Sequence, residues 1–138
     1  MRRSLRMTTA LLLAAMLAHA GSALAQPAAP GSASEFYMQY RRAFQGATTI
    51  EDLLPYMSVA ARKQVESTPA GERADMFGMV KMLGAITNVK IVRETRTAAG
   101  ATLTVEAIDA DHARTTGTIE VVREGTAWKL GRESWKAQ

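Results

Sequence analysis

Asp109 lies two residues beyond Ala107, in a run where Leu103, Val105 and Ala107 alternate with other side chains. Counting by twos places its carboxyl on the apolar side of a strand. A carboxylate buried there would hold its proton more tightly and act as a general base. Asp111 close by favours a plainer reading, a solvated strand end beside a turn, and that reading is preferred. His112 carries an imidazole that titrates at about 6.5 when unperturbed, yet a lone histidine in a polar turn is more simply exposed. Asp109, Asp111 and His112 together lack any specific ligand spacing, so no metal is expected of them.

Met76, Met79 and Met82 stand three apart, and thioethers are soft ligands suited to copper(I). Val80 and Leu83 share their helix face, which makes core packing the preferred reading and copper the alternative. Tyr37 and Tyr40 are also three apart and can offer hydroxyls while their rings pack. A ligand pocket is therefore expected to draw on Tyr37, Tyr40, Met79 and Leu83. The chain has no cysteine, which removes thiol catalysis, thiolate metal sites and disulfides. It also lacks a glycine-rich phosphate loop, a nucleophile elbow and a paired-histidine zinc motif. No cofactor is expected.

The elements that must position these residues follow from periodicity. Ser34 is a candidate N-cap for an amphipathic helix through Phe36, Tyr37, Tyr40 and Phe44, ending near Gly46. Thr48 or Thr49 can cap a short helix over Glu51–Leu54, which Pro55 disfavours extending. Ser58 opens another helix over 59–66. From Thr68-Pro69 a longer helix is expected to reach Ile86, with Met76, Met79, Val80, Leu83 and Ile86 on one buried stripe. Beyond Thr87 the period changes to two. Val89 and Ile91 mark one strand, and Leu103, Val105 and Ala107 a second. Ile119 and Val121, then Trp128 and Leu130, mark a hairpin turning at Glu124-Gly125-Thr126. Trp128 is expected to be largely buried. The fold class is α+β: N-terminal helices packed on a curved, four-stranded antiparallel meander.

The first 25 residues read differently. Arg2, Arg3 and Arg6 precede a short apolar run, and Ala23-Leu24-Ala25 offers small residues for cleavage before Gln26. This is the pattern of a secretory signal, too short for a stable membrane anchor, and it implies a periplasmic or secreted protein. Residues 26–34 form a flexible lead-in, and 35–138 a single domain. The whole chain carries 17 Lys+Arg against 13 Asp+Glu, but three of those arginines lie in the signal. The remainder is nearly neutral, so no nucleic-acid surface is expected.

Three stretches support a resemblance: the aromatic helix from Phe36, the turn Thr49–Ser58, and the closing run Val121–Leu130. Together the chain resembles a small secreted bacterial member of the nuclear transport factor 2-like, cystatin-like superfamily. The resemblance implies a curved sheet wrapped around helices as a cone, often with an internal pocket. Members of that superfamily include enzymes, small-ligand binders and interaction modules, so fold alone leaves function open. The preferred reading is an exported, non-enzymatic domain that binds a small apolar ligand or an envelope protein. A pocket enzyme of isomerase or hydratase type, with Asp109 as base, is the rival. Copper binding is the third reading, and self-association as a homodimer stays open.

Overall fold

A computed structural model describes residues 31–138. The secretory signal expected at 1–25 and the first five residues of the expected lead-in lie outside the described residues. Three helices, α1 (Ala33–Gly46), α2 (Val59–Glu66) and α3 (Arg73–Leu83), precede four strands. These are β1 (Thr87–Arg96), β2 (Gly100–Ile108), β3 (Arg114–Glu124) and β4 (Ala127–Ala137). The strands form one open antiparallel sheet in the order β1-β2-β3-β4, so the α+β class and the meander both hold. Among the described residues no helix is long and apolar enough to cross a membrane.

Helix α1 starts earlier than periodicity suggests, because Ser32 rather than Ser34 caps it. The Ser32 hydroxyl accepts from the Glu35 N–H at 3.2 Å, and the Glu35 carboxylate accepts from the Ser32 N–H at 3.1 Å. This reciprocal box satisfies two donors at once. Ser34 instead spends its N–H on Glu94 of β1, tying helix to sheet. Ala33, Tyr37, Tyr40, Arg41 and Phe44 form the buried face of α1.

A 3-10 turn, Glu51–Tyr56, follows and contains Pro55 rather than stopping before it. Its start is organised by Asp52, not by Thr48 or Thr49. The Asp52 carboxylate accepts from both threonine N–H groups, at 2.8 and 3.0 Å. Those bonds, the Thr48 N–H foremost, hold the Asp52 carboxyl below its ordinary range. Ser58 caps α2 as expected, accepting from the Ala61 N–H.

The longer helix departs most from expectation. Pro69 leads into a 3-10 turn at Ala70–Glu72, and α3 begins only at Arg73. It ends at Leu83, so Ile86 is buried from a linker rather than from the helix. No residue of α3 is fully buried. Met76, Phe77 and Val80 lean on the core, while Met79, Met82 and Leu83 are 57%, 68% and 73% exposed. The expected apolar stripe is therefore split between core and surface. The helix touches the core with one edge only.

The helix-covered face of the sheet carries Ala101, Leu103, Val105, Ile119, Val121 and Leu130, all buried against α1 and the Ile50–Met57 segment. The β3–β4 loop turns at Gly125, whose φ of 61° suits glycine. Trp128 is partly buried and packs against the core. Its indole N–H donates to the Gly31 carbonyl, and the Arg123 guanidinium lies 4.6 Å from its ring centroid. The edge of β4 is partly covered by the segment before α2. There the Ser58 N–H donates to Leu130 O at 2.8 Å and the Val59 N–H to the Glu124 carboxylate at 2.7 Å.

Candidate functional site

Strict alternation from Leu130 would turn Glu133 and Trp135 away from the core. A bulge reverses that. Val121 pairs with Leu130 and Glu120 with Arg132, which leaves Gly131 as the extra residue. Gly131 suits the place, since a Cβ there would lie 3.2 Å from the Glu120 carbonyl oxygen. Beyond the bulge the phase has moved by one residue. Glu133 now pairs with Ile119, and Trp135 with Gly117, on the helix-covered face. Gly117 makes room for that indole: a Cβ there would stand 2.6 Å from the Trp135 ring.

Glu133 meets the aromatic face of α1. The Tyr37 hydroxyl donates to its Oε1 at 2.7 Å and the Tyr40 hydroxyl to its Oε2 at 3.3 Å. The two tyrosine rings lie 6.0 Å apart, and Tyr40 also packs on Phe44 and Tyr56. Burial pushes the Glu133 carboxyl above its ordinary range, opposed by the Tyr37 hydrogen bond, the Arg41 charge and the Tyr40 hydrogen bond. Both tyrosines are pushed above their ordinary range, first by burial and then by the nearby Glu133 charge. They therefore remain hydrogen-bond donors throughout the physiological range.

Arg41 completes the cluster without touching Glu133. Its Nη2 donates to the Gly84 carbonyl at 2.9 Å, and its guanidinium carbon lies 4.6 Å from the Phe44 centroid. Gly84 permits this approach, because a Cβ there would fall 2.5 Å from Phe44. That glycine thus serves packing against α1. Among the described residues the one ion pair is Arg73–Glu51, so Arg41 is a buried cation without a contacting carboxylate.

Two clefts flank the Phe44–Gly84 contact. The first, about 360 Å³, lies between α3 and β4 and is lined by Phe44, Val80, Leu83, Gly84, Glu133 and Trp135. Glu133 is its charged wall residue. The second, about 470 Å³, is lined by Arg41, Phe44, Lys81, Ile86, Asp109 and His112, among others.

The residues singled out by sequence are spread over these surroundings. Tyr37 and Tyr40 are buried, so they can influence a ligand only through Glu133. Leu83 lines the first cleft, whereas Met79 is exposed on α3. Asp109 lines the second cleft, and its Oδ1 accepts from the Asp111 and Ala113 N–H groups, both at 2.9 Å. It caps the β2–β3 turn, in which His112 adopts a φ of 63°. Met76 is half-buried with its sulfur 3.8 Å from the Thr68 hydroxyl, while Met79 and Met82 face outward. Among the described residues no group of three or more His, Asp or Glu side chains is placed to hold a metal.

Sequence reading missed Glu133, Arg41 and Trp135. The available signal was Gly131, since a glycine inside a strand marks a bulge that moves the facing of everything beyond it. Comparison with family models, with curated proteins and with solved structures finds no match.

Proposed function

We propose that this chain is an exported binding domain, of the nuclear transport factor 2-like kind, for a small and largely apolar molecule. The ligand lies in the cleft between α3 and β4. The carrying observation is Glu133: one carboxyl, held by two buried tyrosine hydroxyls, in a cleft otherwise walled by Phe44, Val80, Leu83, Gly84 and Trp135. An apolar pocket with few oriented polar groups is the general form of a small-molecule site, and about 360 Å³ falls in the usual size range. The exposed outer side of α3 supports the reading further, because a helix resting on one edge can shift to admit a ligand. Asp109 is engaged by two backbone N–H groups, which favours binding over catalysis by a base at that position.

Trp135 provides the readout, since it lines the cleft. In a Trp128→Phe background it is the single indole. Nile red, a neutral apolar dye, is expected to bind saturably and quench Trp135 fluorescence by energy transfer. Leu83→Asp is expected to weaken the dye at least about tenfold by placing a charge in the apolar wall. Equal dye affinity in the two proteins would remove the cleft as the binding site.

Export is tested separately. Mass spectrometry of the chain expressed in a Gram-negative host is expected to find a mature terminus at or near Gln26 in the periplasmic or secreted fraction. An intact Met1 terminus in the membrane fraction would reverse that part of the proposal.

A further inference from the structure

We infer that the second cleft, between α1, the end of α3 and the β2–β3 turn, is a binding site for a small organic monoanion, such as a carboxylate with an apolar body. The site stands on its own residues and does not depend on the reading of Glu133.

Arg41 is the central observation. It is 4% exposed, and its Nε and Nη1 are buried with no acceptor among the described residues. A guanidinium left short of acceptors in a low-dielectric setting costs stability unless a charge or hydrogen-bond partner meets it. One of its nitrogens is satisfied by Gly84 O and its face by Phe44. Glu133 is too far away to form an ion pair and already accepts from two tyrosines. Arg41 is also a lining residue of a cleft of about 470 Å³.

A second cation converges there. Lys81 Nζ donates to Phe44 O at 2.7 Å and Gln45 O at 3.3 Å, and it lies 4.9 Å from the same Phe44 centroid that Arg41 approaches. Two cations on one ring repel, and an anion between them relieves that repulsion. Asp109 lines the same cleft, at the turn where its Oδ1 is already occupied. Arg41 and Lys81 outnumber Asp109, the one carboxylate on this wall, and a modest excess of positive charge suits a monoanion better than a doubly charged phosphate. Phe44, Ala85, Ile86 and Ala110 supply apolar surface for the body of such a ligand.

Benzoate, its neutral isostere benzamide, and inorganic phosphate separate the possibilities. Each is titrated into isotopically labelled protein while the Arg41 Nε–H resonance is followed by NMR. Benzoate is expected to shift that resonance saturably. Benzamide and phosphate are expected to bind at least about tenfold more weakly, the loss that follows from removing a charge-assisted contact or adding an unmatched charge. Arg41→Met, which keeps much of the side-chain volume, is expected to abolish saturable benzoate binding. Lys81→Met, at a less enclosed position, is expected to weaken it and remains informative should Arg41→Met fail to fold. Equal binding of benzoate and benzamide, tighter binding of phosphate, or unchanged benzoate affinity in folded Lys81→Met would each overturn the inference. So would the absence of any saturable response in the unmodified protein.

Discussion

Replacing Tyr37 by phenylalanine is expected to destabilise the protein by about 1–3 kcal/mol at neutral pH, the usual cost of stranding a buried polar group. The ring stays in place, so packing with Tyr40 is preserved and the loss is that of the hydroxyl alone. That hydroxyl makes the 2.7 Å bond to Glu133, and the remaining tyrosine bond is longer at 3.3 Å. Tyr37→Ala also vacates a fully buried ring, and its cost rises to about 3–5 kcal/mol. The effect of Tyr37→Phe depends on pH with a definite sign. Because burial raises the Glu133 carboxyl, the folded state takes up its proton more readily than the unfolded chain. Glu133 thus favours folding most below the ordinary carboxylate range, and this contribution declines as pH rises through that range toward the folded value. Losing the Tyr37 donor penalises the ionised form and raises that folded value further. The penalty should therefore be small in acid and largest near neutrality. Urea unfolding of the two proteins at about pH 4 and about pH 7.5 measures it. A difference below about 0.5 kcal/mol at both values would mean that the hydroxyl–carboxylate bond does not form in solution.

Leu103→Ala and Met79→Ala are expected to behave oppositely although both residues belong to apolar patterns in the sequence. Leu103 is fully buried on β2, between Glu94 of β1 and Ile119 of β3, under the face covered by α1. Removing its isobutyl group leaves a cavity that neighbouring strands cannot readily fill, and the expected cost is about 2–5 kcal/mol. Met79 is 57% exposed on α3, so its truncation is expected to change stability by no more than about 0.5 kcal/mol. Chemical denaturation of the pair tests the facing of α3 directly. A Met79→Ala loss comparable to that of Leu103→Ala would show that α3 packs its whole apolar stripe in solution, closing the cleft beside Glu133.

The first cleft and the carboxyl in it depend on that partial docking. A helix with Met79, Met82 and Leu83 all turned inward would fill the space now lined by Val80, Leu83 and Glu133. The bulge at Gly131 acts from the other side, since it brings both Glu133 and Trp135 onto the helix-covered face. Function as proposed here therefore rests on two departures from regular periodicity, one in a helix and one in a strand.

What the sequence by itself determined was local. The period-two runs around Leu103, Val105, Ile119 and Val121 identified the buried sheet face, because alternation in a strand is a direct geometric consequence of the backbone. Ser58 announced α2, and Glu124-Gly125-Thr126 announced the β3–β4 loop, because caps and turns depend on neighbouring residues. The α+β order followed from the change of period near Thr87. What only the tertiary structure decided were contacts between residues far apart in the chain. Tyr37 and Glu133 are 96 positions apart, and nothing near either one specifies the other. Arg41 stands between Tyr40 and Arg42, and nothing beside it in the chain marks it for burial, yet Gly84 and Phe44 enclose it. Periodicity assigned α3 a buried stripe without saying how deeply the helix would sit, since burial depends on whether a complementary surface faces the whole stripe. Glu133 was hidden for the same kind of reason: one unpaired glycine moves the phase of a strand, and unpairing is a property of two strands, not of one.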